Sequence, residues 1–152
     1  MKRITKQRID AGGFSPYGTL AIRPDGPPLA EDNTFRYWSD AGRYGIEGEA
    51  EIGFCTVYEQ EQNVVKWMER HARTPEVLIP IDAPFVLPVM SQGGNIDAFV
   101  VEPGEAAVIG KGVWHSAGKP VGDGEATYFV IFRRGTPQED VTKMDIEPVA
   151  IE

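Results

Sequence analysis

The chain has 152 residues and a formal net charge of −8, with 41% apolar and 25% charged residues. This length predicts one domain spanning residues 1–152, and the composition is typical of a folded globular protein. The negative charge argues against nucleic acid or an anionic membrane as a partner, because both require clustered Lys and Arg.

The N-terminal residues 1–10 are basic, but no apolar run follows them, so the pattern does not predict a signal peptide. No stretch approaches the roughly 20 apolar residues that a membrane-spanning helix requires. The one cysteine, Cys55, cannot form an intrachain disulfide and suits a reducing compartment. It lies in an apolar run, so we expect a small core residue rather than a catalytic thiolate. These features together predict a cytoplasmic protein.

Short runs rich in β-branched and aromatic residues alternate along the chain with 17 Gly and 12 Pro. Such runs, bounded by turn formers, predict strands at residues 52–58, 77–81, 85–90, 96–101, 106–109 and 127–132. Helix signals are sparse, and residues 59–68 suit either a short helix or a strand. The Pro-rich residues 23–33 are expected to form an irregular loop, and the tail after Thr136 to wrap the barrel or fray. Many short strands predict a sandwich or a closed barrel.

The first of the two histidines, His71, is flanked by the carboxylates Glu69 and Glu76. In a strand, Glu69 and His71 point to the same face, because alternate residues do. A turn or bulge after His71 would return Glu76 to that face. Three polar groups that converge inside a barrel can form a metal or acid–base site. The alternative is a surface hairpin in which these side chains are solvated.

The second histidine, His115, follows a glycine-rich segment that contains Gly110 and Gly112. The two glycines predict a tight turn with positive φ, which would aim His115 at the start of the next strand. The alternative is a loop or core histidine without a ligand.

Together the two segments resemble the paired motifs of the cupin superfamily, His-x-His-x(3,4)-Glu after a Gly and Gly-x5-Pro-x-Gly-x2-His. Glu69 stands at the first His of the first motif, and Gly110 stands at the Pro of the second, which runs from Gly104 to His115. The resemblance implies an all-β, cupin-type double-stranded β-helix, or jelly-roll barrel, with few short helices. It also implies a homodimer, because cupins commonly pair through strand exchange or sheet edges.

The same resemblance implies a ligand set of Glu69, His71, Glu76 and His115. His71, Glu76 and His115 are the expected metal ligands, with Glu69 as a further ligand or a base. Mixed imidazole and carboxylate sets suit divalent Ni, Mn, Fe or Zn.

Within the cupins, the segments are most similar to the ureidoglycolate lyase family. Residues 14–18 resemble its Phe-x-x-Tyr-Gly, residues 69–71 its Glu-Arg-His and residues 113–115 its Val-Trp-His, and its closing strand resembles residues 128–133. The likeness spans roughly residues 10–135. The chain departs from the family at Gly110, where the family has a His, at Glu76, where it tends to have Gln, and after His115, where it has His-Pro.

The family resemblance implies cleavage of ureidoglycolate, a small carboxylate, into glyoxylate and urea. The candidate catalytic residues are Glu69, His71 and His115. The candidate substrate-binding residues are Lys111, Trp114 and Arg133. Lys111 and Arg133 are named because a cation, Arg in particular, can grip a carboxylate.

The departures from the family pattern leave two alternatives open. One is a different cupin enzyme, an isomerase or hydrolase of another small hydroxy acid. The other is a non-catalytic cupin that binds a small ligand, which would show neither turnover nor a tightly held metal.

Overall fold

The computed structural model describes residues 1–152 and consists mainly of β-strands joined by short loops. The two helices have four residues each, α1 (Ala11–Phe14) and α2 (Thr136–Glu139). The strands are β1 (Lys2–Ile4), β2 (Gln7–Arg8), β3 (Gly18–Ala21), β4 (Ala30–Glu31), β5 (Arg36–Tyr37), β6 (Ala50–Tyr58), β7 (Val64–Arg70), β8 (Glu76–Pro80), β9 (Phe85–Met90), β10 (Ile96–Val101), β11 (Ala106–Ile109), β12 (Trp114–His115), β13 (Lys119–Pro120), β14 (Glu125–Arg133) and β15 (Thr142–Ile151).

The strands form two main sheets. The larger sheet has the order β1-β15-β7-β12-β9-β10-β2, with β13 also paired to β9. The smaller sheet has the order β3-β11-β8-β14-β6, and β4 and β5 form a separate hairpin. Most pairs are antiparallel, and only the N-terminal strands pair in parallel, β1 with β15 and β2 with β10. This arrangement confirms the predicted all-β, cupin-type fold.

The main hydrophobic core lies between the two sheets. On β9, Phe85, Leu87 and Val89 enter this core, which the smaller sheet completes with residues such as Leu78 and Tyr128. The alternation follows from the strand period of two, which sends successive side chains to opposite faces. The core therefore fixes which face of each strand can contribute to a site between the sheets.

A second core lies on the other face of the larger sheet, around Met68, Val86 and Val149. The N-terminal segment connects the two edges of this sheet, since β1 pairs with β15 while β2 pairs with β10. The larger sheet thus curls back on itself around the second core. β1 pairs with Val149–Ile151 at the end of β15, and β2 pairs with Phe99 and Val100 of β10, so part of each edge is covered.

The strand boundaries agree closely with those predicted from the sequence for residues 85–90, 96–101 and 106–109. The ambiguous stretch 59–68 contributes the strand β7 rather than a helix. The tail does not fray; it forms the ten-residue strand β15, which pairs with β7. Within residues 23–33 only the two-residue strand β4 is regular. None of the helices is long and apolar enough to cross a membrane.

Candidate functional site

A cavity of about 300 Å³ opens between the two sheets at the end of β7 and the start of β8. Both histidines and both carboxylates named from the sequence line it. Its apolar wall includes Leu78, Val130 and Phe132. Polar groups that converge in a pocket with a largely apolar wall are typical of a small-molecule site.

The segment around His71 brings its three polar residues together by a strand, a bend and a second strand. Glu69 belongs to β7, His71 follows the end of that strand, and Glu76 begins β8. The carboxylate of Asp140 accepts hydrogen bonds from the backbone N–H groups of Ala72 and Arg73, which fixes the bend. Glu76 returns to the cavity, and its Oε2 lies 3.1 Å from His71 Nε2.

The segment around His115 reaches the same cavity from the larger sheet. His115 in β12 lies opposite Glu69 of β7 and Val89 of β9. Gly112 has a φ of 73°, as predicted for the turn, whereas the φ of Gly110 is not positive. The N–H of Gly112 donates to the carbonyl of His71 at 2.7 Å. This hydrogen bond ties the two histidine segments together directly.

The hydrogen bonds of the two imidazoles fix their tautomers. Nδ1 of His71 lies 2.8 Å from the carbonyl oxygen of Asp140, and Nδ1 of His115 lies 2.9 Å from that of Val113. A carbonyl oxygen can only accept, so both Nδ1 atoms carry a proton. In the neutral rings both Nε2 atoms therefore present a lone pair, and both face Glu76.

Burial and the shared carboxylate act in opposite directions on these groups. Burial favours the neutral imidazoles, but Glu76 outweighs it and raises the pKa of both His71 and His115 above the usual 6.5. Burial would also raise the pKa of Glu76, but His115 and His71 hold it at about 2, below its usual 4.5. Glu76 is therefore a carboxylate at neutral pH, and it needs a positive charge beside the Nε2 atoms.

A divalent metal ion would meet that need. Glu69, His71 and His115 form a group whose ligand atoms lie within 4.8 Å of one another. Oε2 of Glu76 lies 2.7 Å from Nε2 of His115, which is buried and has no hydrogen-bond partner of good geometry. Neighbouring ligands on one ion are roughly 3 Å apart when metal–ligand bonds are about 2.0–2.2 Å long. The residues present therefore suit a divalent metal ion.

The three residues that the sequence suggested for substrate binding do not line this cavity. Lys111 borders a separate depression with Arg43 and Tyr44. Trp114 packs against the second core, and the guanidinium of Arg70 lies 4.6 Å from its ring centre. Nη1 of Arg133 is 3.9 Å from Oε2 of Glu139. Their substrate-binding roles stay predictions.

Other residues of the site have no clear signal in the sequence. Asp140 orients His71 through its carbonyl and holds the bend through its carboxylate, although the two residues are 69 positions apart. Cys55 and Tyr128 line the cavity, and so does Lys143 from β15. Only the pairing of distant strands brings these residues to the site.

The sequence model of one protein family, described as ureidoglycolate lyase, matches residues 1–152. Among curated proteins no match was found.

Several solved structures are similar to parts of the chain. A deletion mutant of Bacillus subtilis oxalate decarboxylase matches with a TM-score of 0.46 and 15% identity, over 64% of this chain and 24% of that one. The structure of the same enzyme at pH 4.6 matches with a TM-score of 0.46 and 15% identity, over 64% and 23%. An oxalate oxidase in complex with the substrate analogue glycolate matches with a TM-score of 0.46 and 21% identity, over 55% and 41%. The chain spans about a quarter of the length of the decarboxylase and under half that of the oxidase.

Proposed function

The chain belongs to the ureidoglycolate lyase family, and from this membership we propose that it cleaves ureidoglycolate into glyoxylate and urea in the cavity around His71 and His115. The observation that carries the proposal is the convergence of both Nε2 atoms on Glu76, with Glu69 nearby. This cluster offers ligand atoms for a metal ion and two carboxylates, of which one can act as a base, within one small cavity.

The reaction needs one proton to move and one bond to break. Removal of the hydroxyl proton lets the oxygen form a carbonyl, the carbon–nitrogen bond breaks, and its electron pair leaves with the urea nitrogen. That nitrogen then takes a proton, so the products are glyoxylate and neutral urea. No covalent bond to the protein is required.

Glu69 is the proposed base. Its side chain is 23% exposed, against 9% for Glu76, so it is the more accessible of the two carboxylates to a substrate. Glu69 would take the hydroxyl proton and deliver it to the leaving nitrogen. Its Oε1 lies 3.9 Å from Nε2 of His115, so base and metal-binding residues adjoin.

His71, Glu76 and His115 are the proposed metal-binding residues, and the ion would be Ni, Mn, Fe or Zn. A bound divalent ion would lower the pKa of the substrate hydroxyl. The protein residues orient the site: Asp140 and Val113 hold the two Nδ1–H groups, so that the imidazoles turn their Nε2 atoms inward.

The test is an assay of the purified protein loaded separately with each of these metals. We expect a stoichiometric metal and the release of glyoxylate and urea in equal amounts. Ureidoglycolate that stays intact with all four metals would refute the proposed activity. A tightly bound ligand without turnover would favour the binding-protein alternative.

We also propose that the chain forms a homodimer through β6. This nine-residue strand is the edge of the smaller sheet, and its outward side chains are exposed. Ile52, Phe54 and Tyr58 on that face are 66%, 70% and 63% exposed. Antiparallel pairing of β6 with its copy would join two identical surfaces about a two-fold axis.

The uncharged character of the outward face of β6 supports a second copy as its partner. Its residues are Ala50, Ile52, Phe54, Thr56 and Tyr58, in a chain whose net charge is −8. Two such chains repel each other at most surfaces, and an uncharged face avoids that repulsion.

We place the enzyme in the cytosol, where the single Cys55 stays reduced, and in allantoin degradation, which supplies ureidoglycolate.

A further inference from the structure

The lining of the catalytic cavity contains one basic side chain, Lys143. The same lining contains the carboxylates Glu69 and Glu76. With neutral histidines the formal charges of these three residues sum to −1, and a divalent ion would change the sum to +1. Without Lys143 the metal-loaded cavity would be formally neutral, so Lys143 supplies its net positive charge.

The position of Lys143 follows from the pairing of β15 with β7. Lys143 lies directly opposite Glu69, and Asp145 lies opposite Trp67. Residues opposite each other in an antiparallel pair project to the same face, with Cβ atoms about 5 Å apart. Lys143 and Trp67 therefore share the strand face that carries the proposed base, and of these two Lys143 lines the cavity.

The ammonium of Lys143 has no carboxylate partner within salt-bridge distance, although Lys143 lies directly opposite Glu69 in the pairing of β15 with β7. Instead Nζ lies 4.6 Å from the centre of the Trp67 ring. A cation over an aromatic face is held by the ring quadrupole without being neutralised. Its N–H groups stay available to a ligand.

We propose that Lys143 binds the carboxylate of the substrate and that Trp67 positions the Lys143 ammonium for this contact. The site thereby selects acids over their uncharged amides. This inference rests on the proposed function for the identity of the substrate, but binding of a carboxylate at Lys143 can be measured without turnover.

The experiment compares the metal-loaded wild type with Lys143→Met and Lys143→Arg. Lys66→Met is the matched control, because Lys66 is an exposed lysine of β7 outside the cavity lining. The ligands for calorimetry are glycolate and its neutral analogue glycolamide, neither of which has a carbon–nitrogen bond that this reaction cleaves. Steady-state kinetics with ureidoglycolate give kcat and KM separately.

We expect Lys143→Met to weaken glycolate binding and raise KM by roughly tenfold or more, the size of a hydrogen bond to a charged group. The affinity for glycolamide and kcat should change less than about twofold, since glycolamide carries no charge and the reacting groups are untouched. Lys143→Arg should restore most of the glycolate affinity, because it keeps the charge. Lys66→Met should match the wild type.

Equal glycolate affinity in Lys143→Met and the wild type would overturn the inference, and so would an equal loss for glycolamide. If the wild type does not cleave ureidoglycolate but its glycolate binding still depends on Lys143, the carboxylate site stands and the proposed reaction fails.

Discussion

Hydrogen bonds to the Nδ1 atoms of the two histidines give both imidazoles the orientation that metal binding or proton transfer requires. The carbonyls of Asp140 and Val113 accept from Nδ1 of His71 and His115, so both Nε2 atoms turn toward Glu76. A side-chain substitution at Asp140 or Val113 does not remove the acceptor, because both carbonyls belong to the backbone. The orientation of the imidazoles is therefore a property of the folded loops.

The same residues predict how the stability of the metal-free protein depends on pH. The pKa of Glu76 is lowered from 4.5 to about 2, so its stabilising contribution is present above pH 4.5 and is lost as the pH falls toward 2. The pKa values of His71 and His115 are raised above 6.5. Their contribution is present below pH 6.5 and is lost as the pH rises through the raised values. The cluster should therefore stabilise the metal-free protein most between about pH 4.5 and 6.5.

Urea unfolding of the metal-free wild type and Glu76→Gln across this range measures the effect. We expect the difference in unfolding free energy between them to be largest near pH 5.5 and to shrink toward both extremes. A difference that does not vary with pH would show that Glu76 and the histidines do not share a charge-dependent interaction.

Single residues of the site were predictable when they lie close together in sequence. Glu69, His71 and Glu76 fall within one strand, bend and strand, and the strand period of two already places two of them on one face. Lys143 and Asp140 were not predicted, because their contacts with the site depend on β15 pairing with β7. A local pattern carries no information about which distant strand becomes the neighbour.

At the scale of elements, the segment between β12 and β13 packs its backbone against the core. A Cβ atom added to Gly118 would lie 2.8 Å from Cδ2 of Phe85 and 3.0 Å from Cε1 of Tyr128. These two rings are buried and stacked, with centroids 4.3 Å apart, so neither has room to move. The N–H of Gly118 also donates to the Tyr128 hydroxyl at 3.0 Å.

We therefore expect Gly118→Ala to lower the unfolding free energy by about 1–3 kcal/mol through overpacking. Gly122→Ala is the control, because a Cβ at Gly122 would have no atom within 4 Å. Urea denaturation of both variants checks the prediction. A midpoint for Gly118→Ala at or above those of the wild type and Gly122→Ala would contradict the packing described.

Elements differ in how far the sequence determines them. β9, β10 and β11 were predicted with their observed bounds, because dense apolar runs end at turn formers. β15 was not predicted as a strand, since it contains Pro148 and several charged residues and half of its residues are exposed. Its conformation comes from pairing with β7 and β1, a tertiary effect.

At the scale of the whole molecule, the acidic surface leaves the outward face of β6 as an uncharged surface suited to a second copy. Phe54 is 70% exposed there and contacts Phe129 of β14, with ring centroids 4.9 Å apart. Phe54→Glu places a like charge on both sides of a two-fold interface, and we expect it to convert the dimer to a monomer.

Size-exclusion chromatography coupled to light scattering measures the molar masses of Phe54→Glu and of the control Leu29→Glu. Leu29 is 72% exposed but lies outside the smaller sheet, so its variant should stay dimeric. A wild type that elutes as a monomer, or a Phe54→Glu variant that stays dimeric, would contradict the proposed interface.

The most direct measurement of the central claim is the rate of glyoxylate release from ureidoglycolate by the metal-loaded wild type and by His115→Ala, each with its bound metal quantified. If the cavity around His71 and His115 is the active site, the wild type binds a stoichiometric metal and turns over. His115→Ala then loses tightly bound metal and slows by about 100-fold or more while keeping its fold by circular dichroism. Equal rates in the two proteins would show that the reaction does not take place in this cavity.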